Sequence, residues 1–68
     1  MLSALRRERL LRQLTLYDVR ARTGISVSKL SLVERGFEEA NNEEKRRLSR
    51  ALGVRPADIF PAKKATRG

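Results

Sequence analysis

The sequence predicts an all-α domain made of five short helices packed into one compact unit. Residues whose side-chain oxygens favour helix starts precede the apolar segments, at Thr15, Ser26 and Asn41 or Asn42. Glycines follow three of these segments, where a left-handed residue ends a helix without steric cost. No segment alternates apolar and polar residues as a half-buried strand does. A chain of 68 residues then forms a single small domain, predicted over residues 1–61.

The first two helices are predicted over about residues 3–13 and from Thr15 to Gly24. The first is rich in arginine and carries an imperfect apolar stripe made of Leu2, Leu5, Leu10 and Leu14. Thr15 and Asp18 form a T-x-x-D variant of the capping box, in which each side chain accepts a backbone N–H of the other residue. The Asp18 carboxylate also favours the positive end of the helix dipole.

A third helix is predicted from the Ser26 cap to about Arg35, where Gly36 stops it. Only Ile25 separates the Gly24 turn from this cap, so the second and third helices are joined by a tight turn. Further along, Leu30 and Val33 are three residues apart and share a face. That face is expected to enter the core.

A fourth helix follows the asparagine cap at position 41 or 42 and ends at Gly53. Its first turn contains Glu43 and Glu44, whose negative charges complement the helix dipole. Pro56 is tolerated as the first residue of a last short helix, which brings Ile59 and Phe60 to the core. Residues 62–68 have nothing to bury and are predicted to form a disordered basic tail.

The charge of the chain indicates the class of partner. Sixteen Lys and Arg residues against eight Asp and Glu residues give a net charge of +8. A basic domain of this size most often binds nucleic acid, and next most often an anionic membrane or an acidic partner. No apolar run is long enough to cross a membrane, and the few apolar residues at 1–5 are too short for a signal peptide. The predicted location is the cytoplasm, with no membrane partner.

Composition also argues against catalysis. The chain contains no Cys and no His, so it lacks the usual general base, the usual nucleophile partner and the commonest metal ligands. The sequence contains an acidic cluster made of Glu38, Glu39, Glu43 and Glu44. A metal site is one interpretation of this cluster, but we favour solvated carboxylates that complement a helix dipole. We therefore predict that the protein is not an enzyme, has no cofactor or metal, and has no small-molecule ligand.

The most informative segment, residues 15–36, reads T-L-Y-D-V-R-A-R-T-G-I-S-V-S-K-L-S-L-V-E-R-G. Together with the downstream segment R-R-L-S-R-A-L-G-V-R-P-A-D-I-F, it resembles the Cro and phage-repressor (XRE-type) helix-turn-helix family. The resemblance covers about residues 5–60 and implies a lambda-repressor-like fold. It also implies a sequence-specific DNA-binding transcriptional regulator that inserts helix 3, about residues 26–35, into the major groove of double-stranded DNA.

The resemblance assigns roles to individual residues of helix 3. Base edges are expected to be read by Val27, Ser28 and Leu32, flanked by Lys29 and Ser31. The apolar members suit thymine methyl groups, so direct readout is expected to be modest and helped by DNA shape. The expected phosphate contacts come from Lys29, Arg12, Tyr17, Ser26 and Arg35.

The resemblance also implies a structural ion pair between Arg9 and Glu34, which ties helix 1 to the end of helix 3. Two positions depart from the family pattern. Leu16 stands where the family often has a glutamine that supports a phosphate contact, and Arg20 stands where it favours a small residue. Arg20 is expected to extend its charged end to solvent. Related domains bind palindromes as dimers, which leaves a homodimer on a palindromic operator open, although no apolar stripe predicts a dimer seam.

Other interpretations stand beside these. Exposed Val27 and Leu32 suit a protein groove as well as a thymine methyl, so the second hypothesis is a protein-interaction module such as a bridging factor or an antitoxin. The same two residues could also lie in the core. Arg6 and Arg7 are equally well explained as a solvated face, and Tyr17 as half-buried packing. An anionic-membrane binder is the weakest alternative, because the apolar stripe of helix 1 is irregular.

Deleting residues 62–68 should leave the thermal midpoint of unfolding nearly unchanged and should lower the affinity for non-specific DNA. The segment offers three cations, Lys63, Lys64 and Arg67, and no apolar side chain large enough to stabilise the core. Thermal melts and titration with random-sequence duplex check both parts. A large loss of stability would show instead that the segment docks on the domain.

Overall fold

A computed structural model of the protein describes residues 3–60, which contain five helices and no strand. The helices are α1 (Ala4–Leu11), α2 (Leu16–Thr23), α3 (Val27–Glu34), α4 (Asn42–Leu52) and α5 (Pro56–Ile59). The predicted all-α fold of five helices is confirmed. None of these helices has the length and apolar character needed to cross a membrane. The tail predicted over residues 62–68 lies outside the described residues.

Short polar side chains begin the first four helices. Ser3, Thr15, Ser26 and Asn41 each accept the backbone N–H of the residue three positions later, at 2.8 to 3.1 Å. Asn41 is thus the cap of α4, and Asn42 is its first helical residue. At α2 the capping box is complete, because the Thr15 N–H donates to Asp18 Oδ2 at 2.8 Å. This backbone hydrogen bond is the main reason why the pKa of Asp18 is lowered.

Left-handed residues end the first four helices, and one of them is not a glycine. After α3, Gly36 has φ +83°, and the Phe37 N–H reaches back to the Leu32 carbonyl at 2.9 Å. The same geometry ends α1, but Gln13 occupies the left-handed position with φ +56°. A side chain there costs energy that glycine avoids. The chain reversal at Gln13 returns the Leu14 N–H to the Arg9 carbonyl at 3.1 Å.

The core is a single aliphatic cluster between the helices. Every helix contributes, and the buried members are Leu5, Val19, Ile25, Leu30, Ala40, Leu48, Leu52 and Ile59. Val33 and Phe60 pack against this cluster but are only partly buried. The predicted apolar stripe on α1 is wrong at Leu10, which is 45% exposed. Leu10 lies five residues after Leu5, so the two side chains point to different sides of the helix.

The second helix rests on α4 through reciprocal arginine contacts. Arg22 of α2 donates to the carbonyl of Ala51 at 3.2 Å, and Arg47 of α4 donates to the carbonyl of Thr23 at 3.4 Å. Both carbonyls lie in the last turn of a helix, where acceptors lack an intrahelical partner. Thr23 is itself buried, and its hydroxyl donates to the Val19 carbonyl at 2.8 Å. These contacts hold the carboxyl end of α2 against α4.

Arg9 and Glu34 join α1 to the end of α3 by a bidentate ion pair. Arg9 Nε donates to Glu34 Oε2 at 2.7 Å, and Nη2 donates to Oε1 at 3.2 Å. The third nitrogen, Nη1, donates to the Leu14 carbonyl at 2.8 Å. The two side chains are only 10% and 6% exposed. A buried ion pair needs this degree of hydrogen bonding, because each charge has lost most of its water.

Removing either member of the pair should destabilise the fold strongly. Arg9→Ala or Glu34→Ala leaves the other charge buried without a partner, which costs about 3–5 kcal/mol of unfolding free energy. The double mutant should be scarcely less stable than either single mutant, because the loss occurs only once. Urea unfolding midpoints of the three variants test this. Small shifts that add would mean that the pair contributes no more than an exposed one.

Candidate nucleic-acid interface

The two sides of α3 have different roles in the structure. Leu30 and Glu34 are buried, one in the core and the other on Arg9. Ser28 lies about half a turn away from this buried line and is exposed, and Leu32 lies beside it, partly exposed. Arg35, which follows the helix, is also exposed. The outer side of α3 therefore presents a hydroxyl, an isobutyl group and a guanidinium.

Val27 and Ser31 lie at the edge of this outer side. Val27 is partly buried and lines a shallow groove together with residues of α1, of α2 and of the loop between them, namely Leu10, Leu14, Leu16 and Tyr17. The Ser31 hydroxyl accepts a hydrogen bond from Arg35 Nη2 at 3.2 Å. Val27 and Leu32 are both absent from the buried cluster and from the partly buried residues packed against it. The core alternative for Val27 and Leu32 is therefore wrong for both residues.

Lys29 is directed differently from the other predicted DNA contacts. Its ammonium group lies 3.5 Å from Glu44 Oε1 and 3.8 Å from Glu38 Oε2. These carboxylates belong to α4 and to the loop before it, so they draw the lysine toward the side of α3 that faces α4. In this arrangement Lys29 does not share the open face of Ser28 and Leu32.

The other predicted phosphate ligands, Arg12, Tyr17 and Ser26, are all exposed. Arg12 caps α1 and donates through Nη1 to the Glu8 carboxylate at 2.7 Å and to the Glu8 carbonyl at 2.9 Å. Tyr17 is 71% exposed, which excludes the half-buried packing role. The Ser26 oxygen accepts the Lys29 N–H at 3.1 Å, and its own hydroxyl hydrogen has no partner among the described residues.

An aromatic side chain beside Arg35 was not predicted. Phe37 is 74% exposed, and the Arg35 guanidinium carbon lies 5.8 Å from the centre of its ring. The left-handed Gly36 reverses the chain and brings Phe37 back along the end of α3. The sequence signal was present in Arg35-Gly36-Phe37, because a glycine stop places the residue after it next to the last helical turn. The ring restricts Arg35 and leaves its outer N–H groups free for a phosphate.

Several acidic residues of the domain are paired with neighbouring cations. No cluster of residues able to hold a metal ion occurs within residues 3–60. Glu43, whose pKa is lowered chiefly by its hydrogen bond to Arg46, is paired with two arginines on α4. Glu38 and Glu44 likewise face Lys29, while Arg20 and Arg35 at the helix-turn-helix are exposed and make no ion pair within residues 3–60.

Comparison with known proteins gave one finding. A family model described as a Cro/C1-type HTH DNA-binding domain matches residues 4–64. The match spans all five helices of the structure. No curated protein and no solved structure matched the chain.

Proposed function

The chain belongs to the family of Cro/C1-type helix-turn-helix DNA-binding domains, and from this premise we propose that it is a sequence-specific transcriptional regulator whose α3 enters the major groove. The observation that carries the proposal is the two-sided character of α3. Its inner side is fixed by Leu30 and by the Arg9–Glu34 pair, and its outer side presents Ser28 and Leu32, which make no side-chain hydrogen bond within residues 3–60. A rigid helix with an unoccupied polar and apolar face fits a groove about 12 Å wide.

In the proposed complex, Ser28 and Leu32 read base edges, with Val27 and Ser31 at the margin. Leu32 contacts a thymine methyl, and Ser28 donates to or accepts from a base edge. Neither contact is bidentate, so each distinguishes bases only moderately. The remaining selectivity comes from the shape and deformability of the duplex. Lys29 contributes only after leaving Glu38 and Glu44, and we assign it to the phosphate backbone.

Phosphate contacts set the position of the domain on DNA. Arg35 is held by Ser31 and Phe37 in an orientation that leaves N–H groups free. Ser26 has a hydroxyl hydrogen to donate, and the exposed Tyr17 hydroxyl lies at the start of α2. Arg12 completes the set once it exchanges its exposed Glu8 contact for a phosphate, which costs little. Such contacts are independent of sequence.

A homodimer on a palindromic operator is part of the proposal, since a dimer doubles these modest contacts. Selection of bound sequences from a random DNA pool tests sequence specificity and symmetry together. Two half-sites whose centres are about 34–36 Å apart, one turn of the duplex, support a dimer. Recovery of a single half-site supports a monomer, and recovery of no shared sequence argues against specific recognition.

A protein-interaction module is the second candidate function, and one observation favours it. An exposed apolar surface runs from the end of α1 to the start of α2, where Leu11 is 70% exposed and Tyr17 71% exposed. This surface adjoins the groove lined by Val27. Exposed apolar patches frequently mark protein interfaces. The salt dependence of DNA binding distinguishes this function from the first.

Affinity for double-stranded DNA should fall steeply with salt. Each phosphate neutralised by a Lys or Arg lowers the logarithm of the association constant by about 0.9 per tenfold rise in salt. Titration of a labelled random-sequence duplex at several salt concentrations measures the slope. A flat response from low to physiological salt, or no binding at low salt, would remove the DNA-binding proposal and favour the interaction module.

Substitutions on the outer side of α3 should separate base reading from phosphate binding. Leu32→Ala should change base preference at one or two positions of the selected site, by at most about 1–3 kcal/mol. Arg35→Ala should weaken all sequences alike and reduce the salt slope. Competition between the selected site and single-base variants measures both effects. If Arg35→Ala shifted base preference and Leu32→Ala did not, the assignment of the outer face would be wrong.

A further inference from the structure

One cation in the helix-turn-helix lacks a partner. Between residues 12 and 35, four of the five cationic side chains are engaged: Arg12 with Glu8, Arg22 with the Ala51 carbonyl, Lys29 with two glutamates, and Arg35 with Ser31 and Phe37. Arg20 is exposed and makes neither an ion pair nor a side-chain hydrogen bond with the part of the chain that the structure describes. Its guanidinium is therefore available to an external anion.

The position of Arg20 on α2 brings it near the outer side of α3. Arg20 follows Leu16 by four residues and Tyr17 by three, so it lies one turn further along the same side of the helix. Leu16 and Tyr17 line one groove together with Val27, the first residue of α3. Arg20 stands between this turn of α2 and the Gly24 turn that leads to Val27. It thus emerges beside the start of α3.

Apart from the Tyr17 hydroxyl, the start of α2 offers no side chain suited to a phosphate. Leu16 is apolar and packs against the core. Asp18 places a negative charge in the first turn of α2, and its Oδ2 accepts the Thr15 N–H at 2.8 Å. In a helix-turn-helix, the helix before the recognition helix crosses the phosphate backbone beside the groove. Arg20, one turn further along α2, supplies the positive charge that the first turn lacks.

We propose that Arg20 is a DNA phosphate-binding residue that anchors α2 to the strand flanking the groove read by α3. This inference rests on the proposed function. The guanidinium gives two N–H groups to phosphate oxygens, a bidentate contact suited to its planar shape. The apolar part of the side chain lies along α2, which explains how an arginine is accommodated beside the close α2–α3 contact.

The test compares Arg20→Ala with Arg50→Ala. Both arginines are exposed, lie in the last turn of a helix, and lack an ion pair within residues 3–60, so both variants lose the same charge in the same local setting. Arg50 lies on α4, on the side opposite to buried Leu48. Each variant is titrated with a labelled random-sequence duplex at several salt concentrations, and its thermal midpoint is measured.

Arg20→Ala should lower the affinity about tenfold at low salt, as expected for one charged hydrogen-bonded contact. It should also reduce the salt slope by about 0.9, while the thermal midpoint stays near that of the wild type. Arg50→Ala should change both quantities much less. Partial unfolding would reduce the affinity without this change in the salt slope, so the slope distinguishes a lost phosphate contact from a folding defect.

Three results would contradict the proposal, and each has a different meaning. Wild-type protein that fails to bind the duplex at low salt overturns the proposed function together with this inference. Wild-type binding with equal effects from the two variants overturns the inference alone, because Arg20 then contributes only general charge. A loss of thermal stability in Arg20→Ala with an unchanged salt slope would assign Arg20 to the fold, as a cation at the carboxyl end of α2.

Discussion

The Arg9 guanidinium forms the contact on which the orientation of α3 depends. It binds the carboxylate at the end of α3 and the carbonyl of Leu14, so one side chain connects α1, the loop between α1 and α2, and α3. The helices otherwise pack chiefly as α2 with α3 and α4, and as α5 with α1 and α4. Loss of water from two buried charges makes such a pair costly unless every donor is satisfied. Here the three bonds leave little freedom for α3 to turn about its axis, which keeps its outer side directed away from the core.

The sixteen Lys and Arg residues are not equally available to a ligand. Exposed pairs take up many cations, as Glu43 does with Arg46 and Arg47. Pairs of this kind add little to stability because solvent screens them. Their effect is on the distribution of charge, since they engage Arg46 and Arg47 of α4, whereas Arg20 and Arg35 at the helix-turn-helix make no ion pair within residues 3–60.

Local chemistry explains which features of the fold were predictable from sequence. The starts at Thr15 and Ser26 and the stop at Gly36 depend on residues within three or four positions, so the pattern alone identifies them. The ion pair between Arg9 and Glu34 is separated by 25 residues, and only the resemblance to a family suggested it. The all-helical fold was predicted from these local starts and stops, and the family from the resemblance of the sequence.

The features that sequence did not reveal depend on contacts between distant segments. Gln13 adopts a left-handed conformation because the turn that contains it brings Leu14 to Arg9. Lys29 turns toward Glu38 and Glu44, whose positions follow from the packing of the next helix. Phe37 lies beside Arg35 only after Gly36 reverses the chain.

The separation of α3 into an inner and an outer side has a consequence for how such a domain diverges. Leu30 and Glu34 hold the scaffold, while Ser28 and Leu32 on the opposite side make no contact on which the core depends. Changes at distant, independent positions add in their effects on stability. Substitutions on the outer side can therefore accumulate in a lineage without eroding the small stability of a domain of this size. The outer side of α3 can therefore acquire a new binding preference by successive point mutations, and the domain stays folded after each of them.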